Sequence, residues 1–300
     1  MSIRMTSPLV REPLYRKTSY SEVQTWLRCN REHYYSYGLN LTGKYNGEAL
    51  ERGIIGHAAL AEYYKCRQFG ATHDEAVAEA FKTLAAIAQG SLAYSAQKLT
   101  FEVLELLAMY FNHIQHDEFQ VLAVETEYSV GMLEDYRLPV RIDVILLMLR
   151  TGRVQAWDHK IVKDFFDESK IRLMPQLRLY KAGLMAEGVH IDDIVYNMLR
   201  HRGTAENKAD PGKRFLQLVV PAEGMSVRRT LEEHLMAANR IAEWRKLGLE
   251  VWGDKVLRNP GACYMCSFKE LCAQDLEGED TSILIEFEYR KKSPREDLNN

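Results

Sequence analysis

Two carboxylates and a lysine stand close together in an apolar stretch: Asp143 within Leu138–Met148, then a turn, then Asp158 and Lys160. The run around Asp143 is apolar enough to be buried on both faces. A lone buried carboxylate costs several kcal/mol unless a partner compensates it. Strand geometry names the partner. With a hairpin turn centred on Thr151-Gly152, Arg150 faces Arg153, Asp143 faces Lys160 and Ile145 faces Asp158. Asp158 and Lys160 then share a face, and Asp143 joins them. Diagonal neighbours of this kind lie roughly 7–8 Å apart at the backbone, near enough for carboxylates to close on one cation. Hard oxygen ligands select Mg2+ or Mn2+. Such an ion polarises a phosphoryl oxygen and acidifies its bound water, which Lys160 would orient or deprotonate. The same spacing also allows a plain structural Asp–Lys pair with Asp158 exposed.

A second set of residues is made of thiols. Cys263-x2-Cys266-x5-Cys272 follows Asn259-Pro-Gly near the C-terminus, and Cys29 lies far away in the first helical segment. Three clustered thiols and a distant fourth would make a four-thiolate site for zinc or for an iron–sulfur cluster; the spacing does not choose between them. Cys66 has no place in that pattern and reads as a buried thiol.

The elements that must position these residues follow from periodicity. Ser19-Tyr20-Ser21-Glu22 has capping-box spacing, and Val23, Trp26, Leu27, Tyr34 and Tyr37 follow at helical intervals up to Gly38. Further helices are expected over 48–69, from Thr72 to Gly90, and over 95–116. At Phe119 the period changes. The stretches 119–130, 137–149 and 153–162 read as three consecutive antiparallel strands. A helix over 168–187, strands over 193–200 and 215–220, and a long helix capped by Ser226 and reaching Leu247 complete the order. The expectation is an α/β core behind a helical N-terminal lobe. Residues 1–117 form the lobe, 118–248 the core, 249–276 the cysteine segment and 277–300 a tail, disordered from Arg290.

Composition adds bounds. Three hundred residues suffice for one large core, or a core with a lobe. A net charge of −3 does not advertise nucleic acid, so any such partner needs a local basic surface. Arg200, His201, Arg202, Lys208, Lys213 and Arg214, with Lys163 and Lys170, would form that rim or else an ordinary solvated loop. Gly43-Lys44 is followed by Tyr45 and lacks the glycines of a phosphate-binding loop, which excludes an ATP-driven motor of that type. No stretch reaches the ~18 apolar residues of a membrane span, and the N-terminus lacks a signal peptide's apolar core. A cytoplasmic protein with reduced thiols is expected.

Asp143, a spacer, then Asp158-His159-Lys160 resembles the motif that names the PD-(D/E)xK nucleases, whose restriction-endonuclease-like core is built on a mixed sheet. Gly53-Ile-Ile-Gly56-His57 resembles the G-x-x-x-H element of RecB-type nuclease domains, and Gln176-Leu-Arg-Leu-Tyr180 their Q-x-x-x-Y element. Glu127 resembles the acidic residue on the first strand; Glu125 shares its face. The resemblance implies His57, Asp143, Asp158 and the His159 backbone carbonyl as metal ligands and Lys160 as the catalytic lysine. It places Gln176 and Tyr180 against DNA phosphate or in support of the site. Cys29 with the late cysteines is similar to the pattern of AddB-type and CRISPR-associated RecB-like exonucleases. That likeness implies a [4Fe–4S] cluster on Cys29, Cys263, Cys266 and Cys272, stapling the two ends, with zinc as the alternative. It also implies DNA as substrate, in single strands or at duplex ends, and protein partners from recombination, repair or CRISPR-type systems. An exonuclease is expected; a flap-type endonuclease and a non-catalytic DNA-binding adaptor are the alternatives.

Overall fold

A computed structural model describes residues 16–45, 47–90, 94–133, 136–203, 210–220, 222 and 224–292. Lys208 and the segment before Arg16 lie outside the described residues.

The Ser19 hydroxyl accepts the Glu22 N–H and opens α1 (Tyr20–Arg28), as the capping spacing predicts. The helix expected to run on to Gly38 instead breaks at Cys29, whose φ of −161° is extended. It resumes as α2 (Asn30–His33) and a π-helical turn (Tyr34–Gly38). Cys29 therefore sits at a corner and not on a helix face. Then come β2 (Leu41–Gly43), which follows the short β1 (Arg16–Lys17), and three helices, α3 (Glu48–Gln68), α4 (His73–Gly90) and α5 (Tyr94–His113). Thr72 and Glu75 exchange hydrogen bonds at the head of α4, a reciprocal capping box.

The core sheet is mixed. It contains β3 (Phe119–Leu133), β4 (Tyr136–Met148), β5 (Arg153–Val162), β6 (Asp193–Arg200) and β7 (Phe215–Val220), with β1 at the start of β4. Strands β3, β4 and β5 are antiparallel neighbours, β6 joins β5 in parallel, and β7 returns antiparallel. The β4–β5 hairpin closes with Met148 opposite Arg153 and runs to Val144 opposite Trp157. This register differs by two residues from the expected one, so Asp158, and not Lys160, falls across from Asp143. A slip of two keeps Asp158 and Lys160 together on one face of β5, because the strand period is two, whereas β4 itself breaks phase at Asp143.

The helix expected over 168–187 is broken by Pro175, which has no N–H to extend a helix. It becomes α6 (Glu168–Leu173) and α7 (Gln176–Ala186). The long helix α8 (Gly224–Leu247) begins before Ser226, whose carbonyl accepts from Thr230 inside the helix, so Ser226 is not its cap. After it come α9 (Leu249–Lys255), a 3-10 turn (Pro260–Met265), α10 (Lys269–Glu277), α11 (Ser282–Glu288) and β8 (Tyr289–Lys291). Strand β8 pairs with β2, Leu41 opposite Lys291, so the predicted disordered tail begins as structure; residues 293–300 lie outside the described residues.

One face of the sheet packs Val144, Leu146, Trp157 and Val195 against the α3–α5 lobe. The other packs Val140, Ile142, Ala156 and Tyr196 against α7 and α8. Strand β4 changes sides at Asp143: Leu138, Val140 and Ile142 join one core, Val144 and Leu146 the other. Among the described residues, no helix is long and apolar enough to cross a membrane.

Candidate active site

Helix α3 delivers His57. A Cβ on the preceding Gly56 would press on the end of the Ile161 side chain, which would have to move aside, so glycine eases the close approach of α3 to β5. The His57 Nδ1 then stands 3.5 Å from Asp143 Oδ2. Across β3, between the pairs Val124–Val144 and Thr126–Ile142, the residue facing Asp143 is Glu125. Its φ of 47° is left-handed, a conformation that costs roughly 1–3 kcal/mol for a residue with a side chain. Ligand atoms of His57, Glu125 and Asp143 lie within 4.8 Å of one another, the only such set among the described residues. Glu127, the acidic residue singled out on this strand, is exposed and outside that set.

Charge follows position. Burial works against Asp143 as an anion, yet His57, His159 and Lys160 outweigh it and hold the carboxyl below the usual range. The backbone N–H of His159 also donates to Asp143 Oδ2 at 2.7 Å. Burial likewise opposes a charged His57, but Asp143 lifts it to about 8. Glu125 is pushed up by burial and by Asp143, while Arg141, donating from Nε at 2.6 Å, pulls it back. Two like-charged carboxylates with an imidazole at their side make a ready place for a divalent cation.

Asp158 takes a different partner. Its Oδ2 lies 2.6 Å from Lys160 Nζ, and it stays outside the three-residue set. Burial opposes a charged Lys160, but Asp158 and Asp143 raise its pKa above the ordinary lysine value. The His159 ring points to the other face, stacked on Tyr64 at 5.3 Å with Nδ1 2.8 Å from Asn197 Nδ2, so only its backbone belongs to the site. Gln176 donates to the Tyr180 hydroxyl at 3.2 Å, one turn apart on α7. Tyr20, at the first turn of α1, also reaches this group. Its hydroxyl is pushed up to about 12 by burial, then Tyr180 and Asp158, against Lys160. Nothing in the spacing around Tyr20 marks it, because the approach is made by the fold.

Three residues of the expected basic rim have partners within the chain. Arg200 lies over Phe165 at 4.0 Å, Lys170 over Phe166 at 4.1 Å, and Arg214 donates to the carbonyls of Arg200 and His201.

At the far end, Cys29, Cys263, Cys266 and Cys272 line one cavity, with Arg31, Tyr35 and Phe268. Burial pushes the Cys266 thiol up to about 11. Cys66 lies elsewhere, against the α3–α5 core, with its thiol 3.8 Å from Glu62.

A family model described as the PD-(D/E)XK nuclease superfamily matches residues 17–273. The chain belongs to that superfamily. The mixed sheet, the helical lobe and the His57–Glu125–Asp143 cluster at the kink of β4 sit within the matched span. Among solved structures, SSO0001 is similar at 14% identity over 88% of this chain and 89% of its own, with a TM-score of 0.35. At that score the likeness adds nothing to the reading of the site. No curated protein matches the chain.

Proposed function

We propose that the protein is a metal-dependent DNA nuclease acting on single strands or duplex ends, by attack of water on the phosphodiester. The observation that carries this reading is the convergence of His57, Glu125 and Asp143 to within 4.8 Å, beside the Asp158–Lys160 pair. These residues would hold Mg2+ or Mn2+, with Asp158 and the His159 carbonyl as the further ligands. When bound, the ion supplies Lewis-acid polarisation of the phosphoryl group and a more acidic water. Asp143, fixed by the His159 N–H and by His57, offers its oxygens in one orientation. The Lys160 ammonium, steered by Asp158, donates to the phosphoryl oxygen or orients the attacking water. Gln176 and Tyr180 support the same face and contact the phosphate backbone.

The four thiols are proposed to carry a [4Fe–4S] cluster. The support for a shared site is that Cys29, Cys263, Cys266 and Cys272 line one cavity; zinc is the alternative at the same thiols.

End-labelled single-stranded and duplex DNA, with and without Mn2+, gives the test. Cleavage that needs Mn2+ and spares closed single-stranded circles is expected. Equal rates in EDTA would remove the metal mechanism, and rapid linearisation of circles would make the enzyme an endonuclease.

A further inference from the structure

Strand β4 has one edge covered along its length by β3. Its other edge is covered by β1 at Tyr136 and Arg137, and by β5 from Val144 onward. Between them, among the described strands, the edge is open, and Asp143 ends the gap. A cavity of about 290 Å3 lies along it, walled by Tyr20, Tyr128, Pro139, Val140 and Tyr180. The polar lining includes Ser21, Glu127 and Arg141, with Lys17 contributing a further charge. Small-ligand sites begin at about 300 Å3, so the space suits one planar group and not a helix or a duplex.

Two features tie the cavity to the proposed catalytic centre. Arg141 forms part of its wall and pairs with Glu125 at 2.6 Å. Tyr20 and Tyr180 line it, and their hydroxyls are raised in pKa by burial and, to a smaller extent, by the Asp158 charge. Whatever enters is therefore next to the phosphate held there. Three tyrosines lining one cavity together with serines and charged side chains match a nucleobase, since every base has a face to stack on tyrosine and an edge to hydrogen-bond. A bare phosphate fits worse, because Glu127 adds a negative charge and Arg141 is engaged by Glu125. A base still paired in a duplex would first have to leave its stack at a cost.

Resting on the nuclease reading above, we infer that this cavity holds one unpaired base of the DNA strand, adjacent to the cut phosphate, stacked on Tyr20, Tyr128 or Tyr180. Glu127 meets the base edge. A carboxylate only accepts hydrogen bonds, so bases carrying an amino group are favoured over thymine.

The test uses the full-length protein and a fluorescently labelled single-stranded dodecamer carrying one abasic position, moved stepwise along the strand. Binding is read by anisotropy in Ca2+, and cleavage of the intact strand is read separately in Mn2+. An abasic residue at one register, set relative to the cut, is expected to weaken binding about tenfold, the loss of one stacked base. Ser21→Trp, which fills the cavity, and Tyr128→Ala should each bind intact DNA more weakly and lose that position-dependence. Thermal melting confirms that both variants fold. Mn2+-dependent cleavage by the wild type with no sensitive register overturns the base pocket and leaves the nuclease standing. The same sensitivity in Ser21→Trp as in the wild type also overturns it. Neither binding nor cleavage of any strand by the wild type overturns both readings together.

Discussion

Glu125 and Asp143 face each other across β3 and β4 at the point where β4 changes sides, and Glu125 reaches that position only with a left-handed backbone. Strain kept at a residue of a set that could hold a metal is the pattern of a side chain held for function against its own stability. Glu125→Gly should therefore lower Mn2+ affinity about tenfold or more, measured by calorimetry, because a ligand carboxylate is gone. Glycine also adopts φ of 47° without penalty, which offsets the lost Arg141 pair, so the melting temperature should not fall. A large drop in melting temperature with metal affinity intact would mark Glu125 as a structural residue instead.

Lys160 and Asp158 form a close pair in which neither group is fully wet. Removing the lysine leaves Asp158 buried beside Asp143 with no nearby ammonium, and losing one member of such a pair costs on the order of 2 kcal/mol or more. Lys160→Met should abolish turnover, keep Mn2+ binding and lower the melting temperature. Adding Asp158→Asn should recover much of the stability and none of the activity. Activity surviving in Lys160→Met would end the role assigned to this ammonium.

Much of this geometry is legible in the sequence, and the rest is hidden for physical reasons. The shared face of Asp158 and Lys160 follows from period-two alternation, so it survives a hairpin that closes at Met148–Arg153 and not at Arg150–Arg153; the phase break of β4 at Asp143 does not follow from it. Glu125 and Glu127 cannot be told apart by alternation, because they share its phase; a left-handed residue in mid-strand decides, and no glycine or asparagine announces it. The break at Pro175 is legible, because proline has no N–H to extend a helix. The break at Cys29 is not, since Cys29 and Asn30 are weak helix formers but neither is glycine or proline, and such residues also occur inside helices. Strand β8 depends on pairing with residues some 250 positions earlier, a contact that local patterning does not carry.

His234, buried on α8, bonds through Nε2 to the Tyr136 hydroxyl at 2.9 Å, and its Nδ1 has no partner among the described residues. A second proton would land on that Nδ1 with nothing to accept it, and burial moves the pKa down to about 4. The unfolded chain binds the proton near 6.5. Between those values the unfolded state holds more protons than the folded one. The stability from this residue is therefore complete above pH 6.5 and drains away as the pH falls toward 4, by at most about 3 kcal/mol. Denaturant titrations of wild type and His234→Gln across pH 4–7 should show a shallower pH slope in the variant. Equal slopes would mean that His234 is not the group that titrates.

The thiol cavity joins segments from the two ends of the chain: Cys29 at the corner after α1, and Cys263, Cys266 and Cys272 around α10. The corner is already braced without any cluster. Asn259 donates to the Arg28 carbonyl, and Arg31 and Tyr35 both reach Asp275. A shared cluster would add to this brace by closing a loop that spans most of the chain, and its binding energy would become folding energy. The proposed active-site strands lie between the anchors, so losing the cluster should act on catalysis through stability. Anaerobically purified protein is expected to be brown. Cys29→Ala, Cys263→Ala, Cys266→Ala and Cys272→Ala should each bleach it and lower the melting temperature, whereas Cys66→Ala, packed against the other core, should not bleach it. A colourless protein with one zinc per chain would replace the cluster by zinc and leave the brace intact. Full colour and unchanged melting in Cys29→Ala would refute the link between the two ends, because the remaining thiols all belong to one short segment.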